Sequence, residues 1–271
     1  KLRPECFNVP RSTERFLQYF MDTTSGTMER VKSSNRKKII ENLGKPRIEP
    51  YLEAANGNEK HALALYRWGV EMTASVQETL GITEVFLRNS IDTQLQKWNS
   101  EQLGQRSTSW LLEAPARPLR SLTQGKRLEA KRRAQKSADR RPASHFRHGQ
   151  AITHDDVLAH TMFGMWKDIL PNHAPGADPE KTENKNRFTL WEGAVKDAFP
   201  FADDLSGEKT YWRVAHLHDL RNRVSHMDSL LNVDILDVTK DAFTLAESIN
   251  SALASWLTST STVGLNDRMC W

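Results

Sequence analysis

Apolar positions recur at helical spacing along most of the chain, and the two-residue alternation typical of strands is nearly absent. Turn signals divide this pattern into segments. Gly44 follows an early helical segment, Asn56-Gly57-Asn58 separates two more, and the stretch 172–185 is rich in Pro, Gly, Asn and charge. The pattern predicts an all-α fold, a bundle of helices joined by loops.

Two capping signals fix the expected starts of helices. Ser34 is positioned to cap a helix that stops at Gly44, and Thr153 with Asp156 three residues later forms a variant of the capping box. Gly81 is expected to break or bend the helix that begins after Asn58. The other predicted helices, or turns of helix, lie at 13–21, 46–52, 83–98, 124–137, from Thr153 to Pro171, 187–198, 209–231 and 234–257.

Apolar residues are expected to share faces of these helices. One face of the helix after Asn58 carries Leu63, Tyr66, Val70 and Leu80, and the next helix turns Ile82, Val85 and Phe86 inward. The helix from Thr153 carries Val157, Leu158, Met162, Phe163 and Trp166, and the core is expected to contain Trp68, Trp166 and Trp191. The segments 48–98 and 153–257 each look too small to bury their apolar faces alone. We therefore predict one helical domain at 46–258, with a basic insertion at 117–150, an N-terminal extension at 1–45 and a tail at 259–271.

Composition excludes several classes of protein. The 271 residues are 38% hydrophobic and 8% aromatic, which is enough for a packed core and excludes wholesale disorder. The two cysteines, Cys6 and Cys270, argue against a disulfide scaffold and a Cys-rich zinc site. No apolar run is long enough to span a membrane and no signal peptide is visible, so we expect a cytoplasmic protein without a membrane partner.

Positive charge is concentrated in one segment. The net charge of the chain is +4, but eleven Lys and Arg against Glu129 and Asp139 give residues 117–148 a charge of +9. Such a segment is either a polyanion-binding surface or a solvated loop, and charge alone does not decide between them. The candidate RNA-binding residues are Arg117, Arg120, Lys126, Arg127, Lys131, Arg132, Arg133, Lys136, Arg140, Arg141 and Arg147.

One helical segment, 214–226, places polar and apolar residues on separate stripes. His218, Asn222 and His226 are four residues apart and share a face, and Arg221 lies at the margin, about 140° from His226 on a straight helix. The apolar stripe that faces the core consists of Leu217, Leu220, Val224, Met227 and Leu231.

An arginine and a histidine near one another suit phosphoryl chemistry. Histidine can move a proton near neutral pH, and arginine binds phosphate through a planar, permanently charged group. Because RNA supplies its own 2′-hydroxyl nucleophile, a site with both groups needs no metal or other cofactor. The angle between Arg221 and His226 favours two copies of the helix meeting across a two-fold axis. The alternative is an ordinary solvated helix face.

Six stretches in order resemble the Abi-like, abortive-infection branch of the HEPN superfamily, including its R-x4-6-H motif. They are Pro46-Arg-Ile-Glu-Pro-Tyr-Leu52, Ala62-Leu-Ala-Leu-Tyr-Arg-Trp68, Thr83-Glu-Val-Phe-Leu-Arg-Asn89, Leu158-Ala-His-Thr-Met-Phe-Gly-Met-Trp166, Leu190-Trp-Glu192 with Ala198-Phe-Pro200, and Leu220-Arg-Asn-Arg-Val-Ser-His226. The resemblance covers about 47–257 and implies a HEPN-like helical bundle that is a metal-independent endoribonuclease. It also implies a homodimer with the motif at its interface.

On this resemblance Arg221 and His226 form the catalytic pair, and Asn222 orients or supports them. The implied setting is phage defence or a toxin–antitoxin system, in which an antitoxin protein or an inhibitory RNA is a candidate partner. Some relatives place a second histidine where this chain has Met227, and residues 1–40 have no recognised counterpart.

The triplet Leu87-Arg88-Asn89 repeats Leu220-Arg221-Asn222, but Thr93 stands where a histidine would be needed. We expect Glu84, Arg88 and a semi-buried Asn89 to support the site, with His218 as a further candidate. Two alternatives to a nuclease stay open at this point: a non-catalytic RNA-binding module, and a regulatory helical dimer that acts through protein contacts.

Overall fold

A computed structural model of the chain describes residues 32–104 and 109–263. These residues form α-helices and one 3₁₀ helix and contain no strand, so the all-α prediction is confirmed for this part of the chain. The helix predicted at 13–21 and both cysteines lie outside the described residues. Within those residues, no helix has the length and apolarity needed to cross a bilayer.

The helices follow one another along the chain in this order: α1 (Ser33–Leu43), α2 (Lys45–Ala54), α3 (Glu59–Gln102), α4 (Leu119–Asp139), α5 (His154–Leu158), α6 (Phe163–Asp168), α7 (Thr182–Gly193), the 3₁₀ helix (Val195–Ala198), α8 (Glu208–Ser225), α9 (Ile235–Ile249) and α10 (Ser251–Thr260).

The described chain divides into two compact units. The first contains residues 32–81, 219–240 and 260–263, and the second contains Ile82–His218, apart from 105–108, and Asp241–Ser259. Helices α3, α8 and α9 therefore each contribute residues to both units.

In the first unit, α2 packs against α1 and buries Ile48 and Tyr51. The ring of Tyr51 meets Tyr66 edge-on at a centroid distance of 5.3 Å. Burial raises the pKa of the Tyr51 hydroxyl, although a hydrogen bond with Ser229 opposes that rise. These contacts connect α2 both to α3 and to the segment that follows α8.

In the second unit, α4 packs against α5, α6 and α7. Its buried face repeats every three or four residues and is built mainly from small side chains, which allows close approach of neighbouring helices. The buried residues are Leu119, Thr123, Arg127, Ala130, Ala134 and Ala138. The indoles of Trp110 and Trp166, both buried, meet edge-on at 6.3 Å beside this helix bundle.

The long helix α3 corrects the prediction of a break at Gly81. It is continuous over 44 residues, because a glycine inside a helix costs only about 1 kcal/mol, which burial along the helix outweighs. The predicted inward orientation of Val85 is wrong, since it is 38% exposed. Val70, which the spacing places on one face with Leu63 and Leu80, is 37% exposed, whereas those two leucines are buried. The core prediction for Trp68, Trp166 and Trp191 is confirmed.

Several boundaries also differ from prediction. The helix predicted from Thr153 to Pro171 is two short helices, α5 and α6, with Met162 exposed between them, and the one predicted at 234–257 is interrupted at Asn250. The capping box of Thr153 and Asp156 is confirmed, whereas Ser34 lies inside α1, whose N-cap is Lys32. A helix predicted to reach Leu231 ends at Ser225.

Candidate functional site

Helix α8 turns three of the five residues of the predicted apolar stripe to the interior. Leu217, Leu220 and Val224 are at most 3% exposed. Leu231 is buried beyond the end of the helix, and the prediction is wrong for Met227, which is 38% exposed. On the remaining surface of the helix, Arg221 and Asn222 are half-buried, and Arg223 is exposed. The periodicity of the sequence therefore predicts the orientation of the motif helix correctly up to its last turn.

The C-terminus of α8 is a Schellman motif centred on Met227. The N–H of Asp228 donates to the carbonyl of Arg223 at 2.9 Å, and the N–H of Met227 donates to the carbonyl of Val224 at 3.2 Å. Met227 has φ 54°, in the left-handed region that glycine adopts without strain. The helix thus ends at Ser225, and the next residue, His226, still donates its N–H to the carbonyl of Asn222 at 3.1 Å.

Arg47 of α2 caps this helix end. Its Nη1 donates to the carbonyl of Met227 at 2.8 Å, and Nη1 and Nη2 each lie 3.4 Å from the carbonyl oxygen of His226. A guanidinium here neutralises carbonyls that have no partner within the helix and the negative end of the helix dipole. Arg47 thereby holds the backbone of His226, while the imidazole of His226 stays exposed to solvent.

Sequence reasoning missed this role of Arg47. The residue belongs to one of the stretches that carried the family resemblance, but it is 179 positions away from His226. The last carbonyls of a helix need hydrogen-bond donors, but the local sequence does not indicate which distant side chain provides them.

The structure groups the predicted site residues into two sets. Arg221, Asn222 and His226 belong to the first unit, together with Arg47. His218, Glu84, Arg88 and Asn89 belong to the second unit.

His218 packs on α6, with its ring 5.9 Å from that of Phe163. A Cβ at Gly164 would lie 3.3 Å from its Nε2, so His218 has a packing role there. Glu84 and Arg88 are half-buried, and Arg88 donates through Nε to Oδ1 of Asn89 at 3.4 Å. The expectation of a semi-buried Asn89 is wrong, because this residue is exposed.

Several of the candidate RNA-binding cations make contacts within the protein. Arg127 is only 6% exposed, and its Nη1 donates to the carbonyls of Leu111 and Glu113 at 3.1 and 2.7 Å. Burial, and next the charge of Arg120, lower the pKa of Arg127. Lys131 donates to the carbonyl of Leu112 at 2.8 Å. These two cations hold the chain that precedes α4, with Arg127 buried and Lys131 half-buried.

Other cations of the segment pair with carboxylates. Lys126 binds Asp168, and Arg141 and Arg147 both bind Asp156. Arg132 and Arg133 bind Glu129, and their hydrogen bonds lower the pKa of that carboxyl to about 2. In the described part of the chain, the cations of the segment that are exposed and without an ion pair are Arg117, Arg120, Lys136 and Arg140.

A polar cluster that the sequence did not predict lies in the second unit. Nδ1 of His154 is 2.7 Å from Oγ of Ser109, and its Nε2 is 2.9 Å from Oδ2 of Asp92. The indole of Trp110 donates to Oδ1 of Asp92 at 2.7 Å. Ser109 is 2% exposed and its Oγ accepts the N–H of Leu112, so the cluster resembles a hydrolase triad in composition but its serine is sealed. It anchors the chain before α4.

Among residues 32–104 and 109–263, no group of three or more His, Cys, Asp or Glu side chains is arranged to hold a metal ion. The end of α8 carries an exposed imidazole, a half-buried guanidinium and a half-buried amide. These groups suit proton transfer and anion binding.

Comparison with known proteins adds no family to this picture. No protein-family model matches the chain. Neither the curated proteins nor the solved structures yield a significant match.

Proposed function

We propose that this protein is a metal-independent endoribonuclease in which Arg221, Asn222 and His226 carry out the reaction. The observation that supports it most is the imidazole of His226, which is exposed at a helix end whose backbone is fixed by Arg47. An exposed but positioned imidazole, five residues from a half-buried arginine, is suited to act on an anionic substrate that comes from solvent.

The reaction is an attack of the ribose 2′-oxygen on the adjacent phosphorus. The 2′-hydroxyl loses its proton to a base, the bond between phosphorus and the 5′-oxygen breaks, and an acid protonates the departing 5′-oxygen. The products are a 2′,3′-cyclic phosphate and a 5′-hydroxyl. His226 transfers protons, Arg221 stabilises the charge that develops on the phosphoryl oxygens, and Asn222 orients them.

A homodimer completes the site in this proposal. A single imidazole cannot be base and acid in the same step, whereas two copies of α8 across a two-fold axis bring one neutral and one protonated His226. The exposed cations Arg117, Arg120, Lys136 and Arg140 add sequence-independent attraction for the RNA backbone. The family resemblance supports a role in phage defence or as a toxin controlled by an antitoxin protein or an inhibitory RNA.

The test is cleavage of total RNA and transfer RNA by the purified protein in EDTA. We expect His226→Ala and Arg221→Ala each to lower the rate by at least about 100-fold, as loss of a general acid–base or of an oxyanion-stabilising group does. Arg223→Ala is the matched control, because Arg223 is an exposed arginine on the same helix. DNA of the same sequence should stay intact, and the RNA products should carry cyclic phosphate ends.

A mixture of the native protein with an excess of His226→Ala tests the shared site. A hybrid dimer would contain a single imidazole, which cannot supply base and acid together, so the excess is expected to lower cleavage per native chain. Cleavage that depends only on the amount of native chain would contradict the shared site, and activity that disappears on chelation, or that survives in Arg221→Ala and His226→Ala, would overturn the nuclease proposal. RNA binding without cleavage under any condition would leave a non-catalytic RNA-binding module.

A further inference from the structure

The loop that follows α4 is fixed at both ends by a single carboxylate. Asp156 accepts from Nη2 of Arg141 at 3.0 Å and from Nη1 and Nη2 of Arg147 at 2.8 and 2.6 Å. It also accepts the N–H of Thr153 at 2.8 Å in the capping box of α5. Paired, half-buried charges with bidentate geometry hold a loop far better than exposed ones. The segment 141–147 is therefore closed into a short, braced loop.

Internal hydrogen bonds make this loop more rigid. The N–H of His145 donates to the carbonyl of Pro142 at 2.9 Å, and that of His148 donates to the carbonyl of His145 at 2.8 Å. The N–H of Arg147 donates to Nδ1 of His145 at 3.0 Å, which fixes the tautomer and orientation of that ring. The side chains at the tip are thus presented in one arrangement.

At the tip of the loop stands Phe146, whose side chain is presented to solvent. The residue is 83% exposed, and its ring stacks on His145 with a centroid distance of 4.8 Å and an interplanar angle of 22°. A single exposed apolar residue is common on protein surfaces, but a rigid, exposed aromatic pair also forms a surface on which another flat ring can stack.

The charged residues that flank the loop in the sequence indicate the kind of ligand. No acidic residue occurs between Arg140 and Asp155. Arg140 and Lys136, just before the loop, are exposed and have no ion pair among the described residues. A lipid surface would need several exposed apolar side chains in the loop, and Phe146 is its single large one. A nucleobase in a nucleic acid strand combines a flat ring with adjacent, negatively charged phosphates, so it matches an aromatic surface beside unpaired cations.

We propose that Phe146, supported by His145, is a stacking platform for an unpaired base of an RNA strand, with Arg140 and Lys136 binding the neighbouring phosphates. This inference rests on the proposed function for the identity of the ligand and adds its class, single-stranded RNA. A base inside a duplex has both faces covered by its neighbours, so the platform takes bases from loops, bulges and ends. The platform binds and positions; it takes no part in the chemistry at His226.

Binding measured by fluorescence anisotropy tests the platform. The full chain is used in a His226→Ala background, so that the RNA stays intact, with three labelled probes: a single strand, an abasic strand of equal length, and a blunt duplex. Phe146→Ala is expected to weaken binding of the single strand by about 5- to 150-fold, the range that loss of one base–aromatic stack produces. Binding of the abasic strand and of the duplex should change little.

Two further variants separate stacking from shape and charge. Phe146→Trp keeps a π-face and should bind the single strand at least as well as Phe146, whereas Phe146→Leu keeps an apolar side chain without a face and should behave like Phe146→Ala. The slope of log affinity against log salt should be the same in all four proteins, because no cation is removed. Thermal melting shows that each variant is folded, as expected for an exposed position.

The outcomes distinguish the platform from the proposed function. If the parent protein binds RNA in a salt-dependent manner and Phe146→Ala binds the single strand equally well, the platform is overturned and RNA as the ligand stands. An equal loss with the abasic strand also overturns it, since no base is there to stack. If the His226→Ala protein with Phe146 unchanged binds none of the probes at low salt, both the proposed function and the stacking platform are overturned.

Discussion

Nη1 of Arg47 donates to the backbone carbonyl of Met227 at 2.8 Å, and this bond caps the C-terminal end of α8. The two residues are 180 positions apart in the chain. The same guanidinium lies 3.4 Å from the carbonyl oxygen of His226. The position of the candidate catalytic histidine thus depends on a side chain from a different helix. A change at Arg47 should therefore alter the position of His226 even though Arg47 itself has no contact with the RNA in the proposal.

Replacement of Arg47 by alanine should destabilise the end of α8. The carbonyls of His226 and Met227 lose a charged donor and return to solvent, so the free energy of unfolding should fall by about 1 kcal/mol. Urea denaturation measures this change. Arg67→Ala is a suitable comparison, because Arg67 is an exposed arginine whose pair with Glu71 lies within one helix and is worth less than about 0.5 kcal/mol. Equal losses in the two variants would show that Arg47 does not cap the helix.

Replacement of Met227 by glycine should, in contrast, stabilise the protein. The φ of 54° at Met227 strains any residue with a Cβ, and its side chain is 38% exposed, so little burial is lost on replacing it. Met227→Gly should raise the free energy of unfolding by about 0.5 to 1 kcal/mol. Met227→Ala retains the Cβ and should show no such gain. A destabilised glycine variant would indicate that the methionine side chain contributes more than the strain costs.

Two glycines of α3 form a matched pair. A Cβ at Gly81 would meet no atom within 4 Å, so Gly81→Ala should stabilise the protein by about 0.5 to 1 kcal/mol through better helix propensity. A Cβ at Gly69 would lie 2.7 Å from the hydroxyl oxygen of Tyr51, at the end of a rigid ring. Gly69→Ala should therefore lower stability by about 1 to 3 kcal/mol. Thermal melting of the two variants checks both signs, and a gain at Gly69 would contradict the close packing of Tyr51.

Sequence patterning predicted those parts of this fold that depend on neighbours along the chain. The all-α class, the end of α1 at Gly44 and the capping box of Thr153 and Asp156 follow from helical spacing and local capping, and the structure bears them out. The continuity of α3 through Gly81 was not predictable in this way, because the cost of one glycine is outweighed by burial contributed from elsewhere.

The candidate site shows the same limit. Periodicity assigns Leu217, Leu220 and Val224 to the interior, but the end of the helix at Ser225 depends on a strained Met227 and on distant Arg47. Charge counting could not separate buried Arg127 from exposed Arg140, although the small residues in step with Arg127 on α4 mark the buried face. Which cations face solvent is decided by packing, and packing is not local.

The His154 cluster makes the stability of the protein depend on pH. Burial disfavours the charged imidazole, but the hydrogen bond with Asp92 and its negative charge outweigh burial, so the pKa of His154 is raised. A raised pKa in the folded state means that the native protein holds this proton more tightly than the unfolded chain does. The resulting stabilisation is fully present below the unfolded pKa of about 6.5 and is lost as the pH rises through the higher folded pKa.

We therefore expect the stability difference between the native protein and His154→Gln to shrink as the pH rises. Urea unfolding at about pH 5.5 and about pH 8.5 measures it, and the difference cancels titrations common to both proteins. In Asp92→Asn the hydrogen bond and charge of Asp92 disappear while burial and the attraction of Asp155 remain, so the NMR-detected pKa of His154 should fall. A difference that grows with pH, or a pKa that does not move in Asp92→Asn, would mean that Asp92 does not hold the charge on His154.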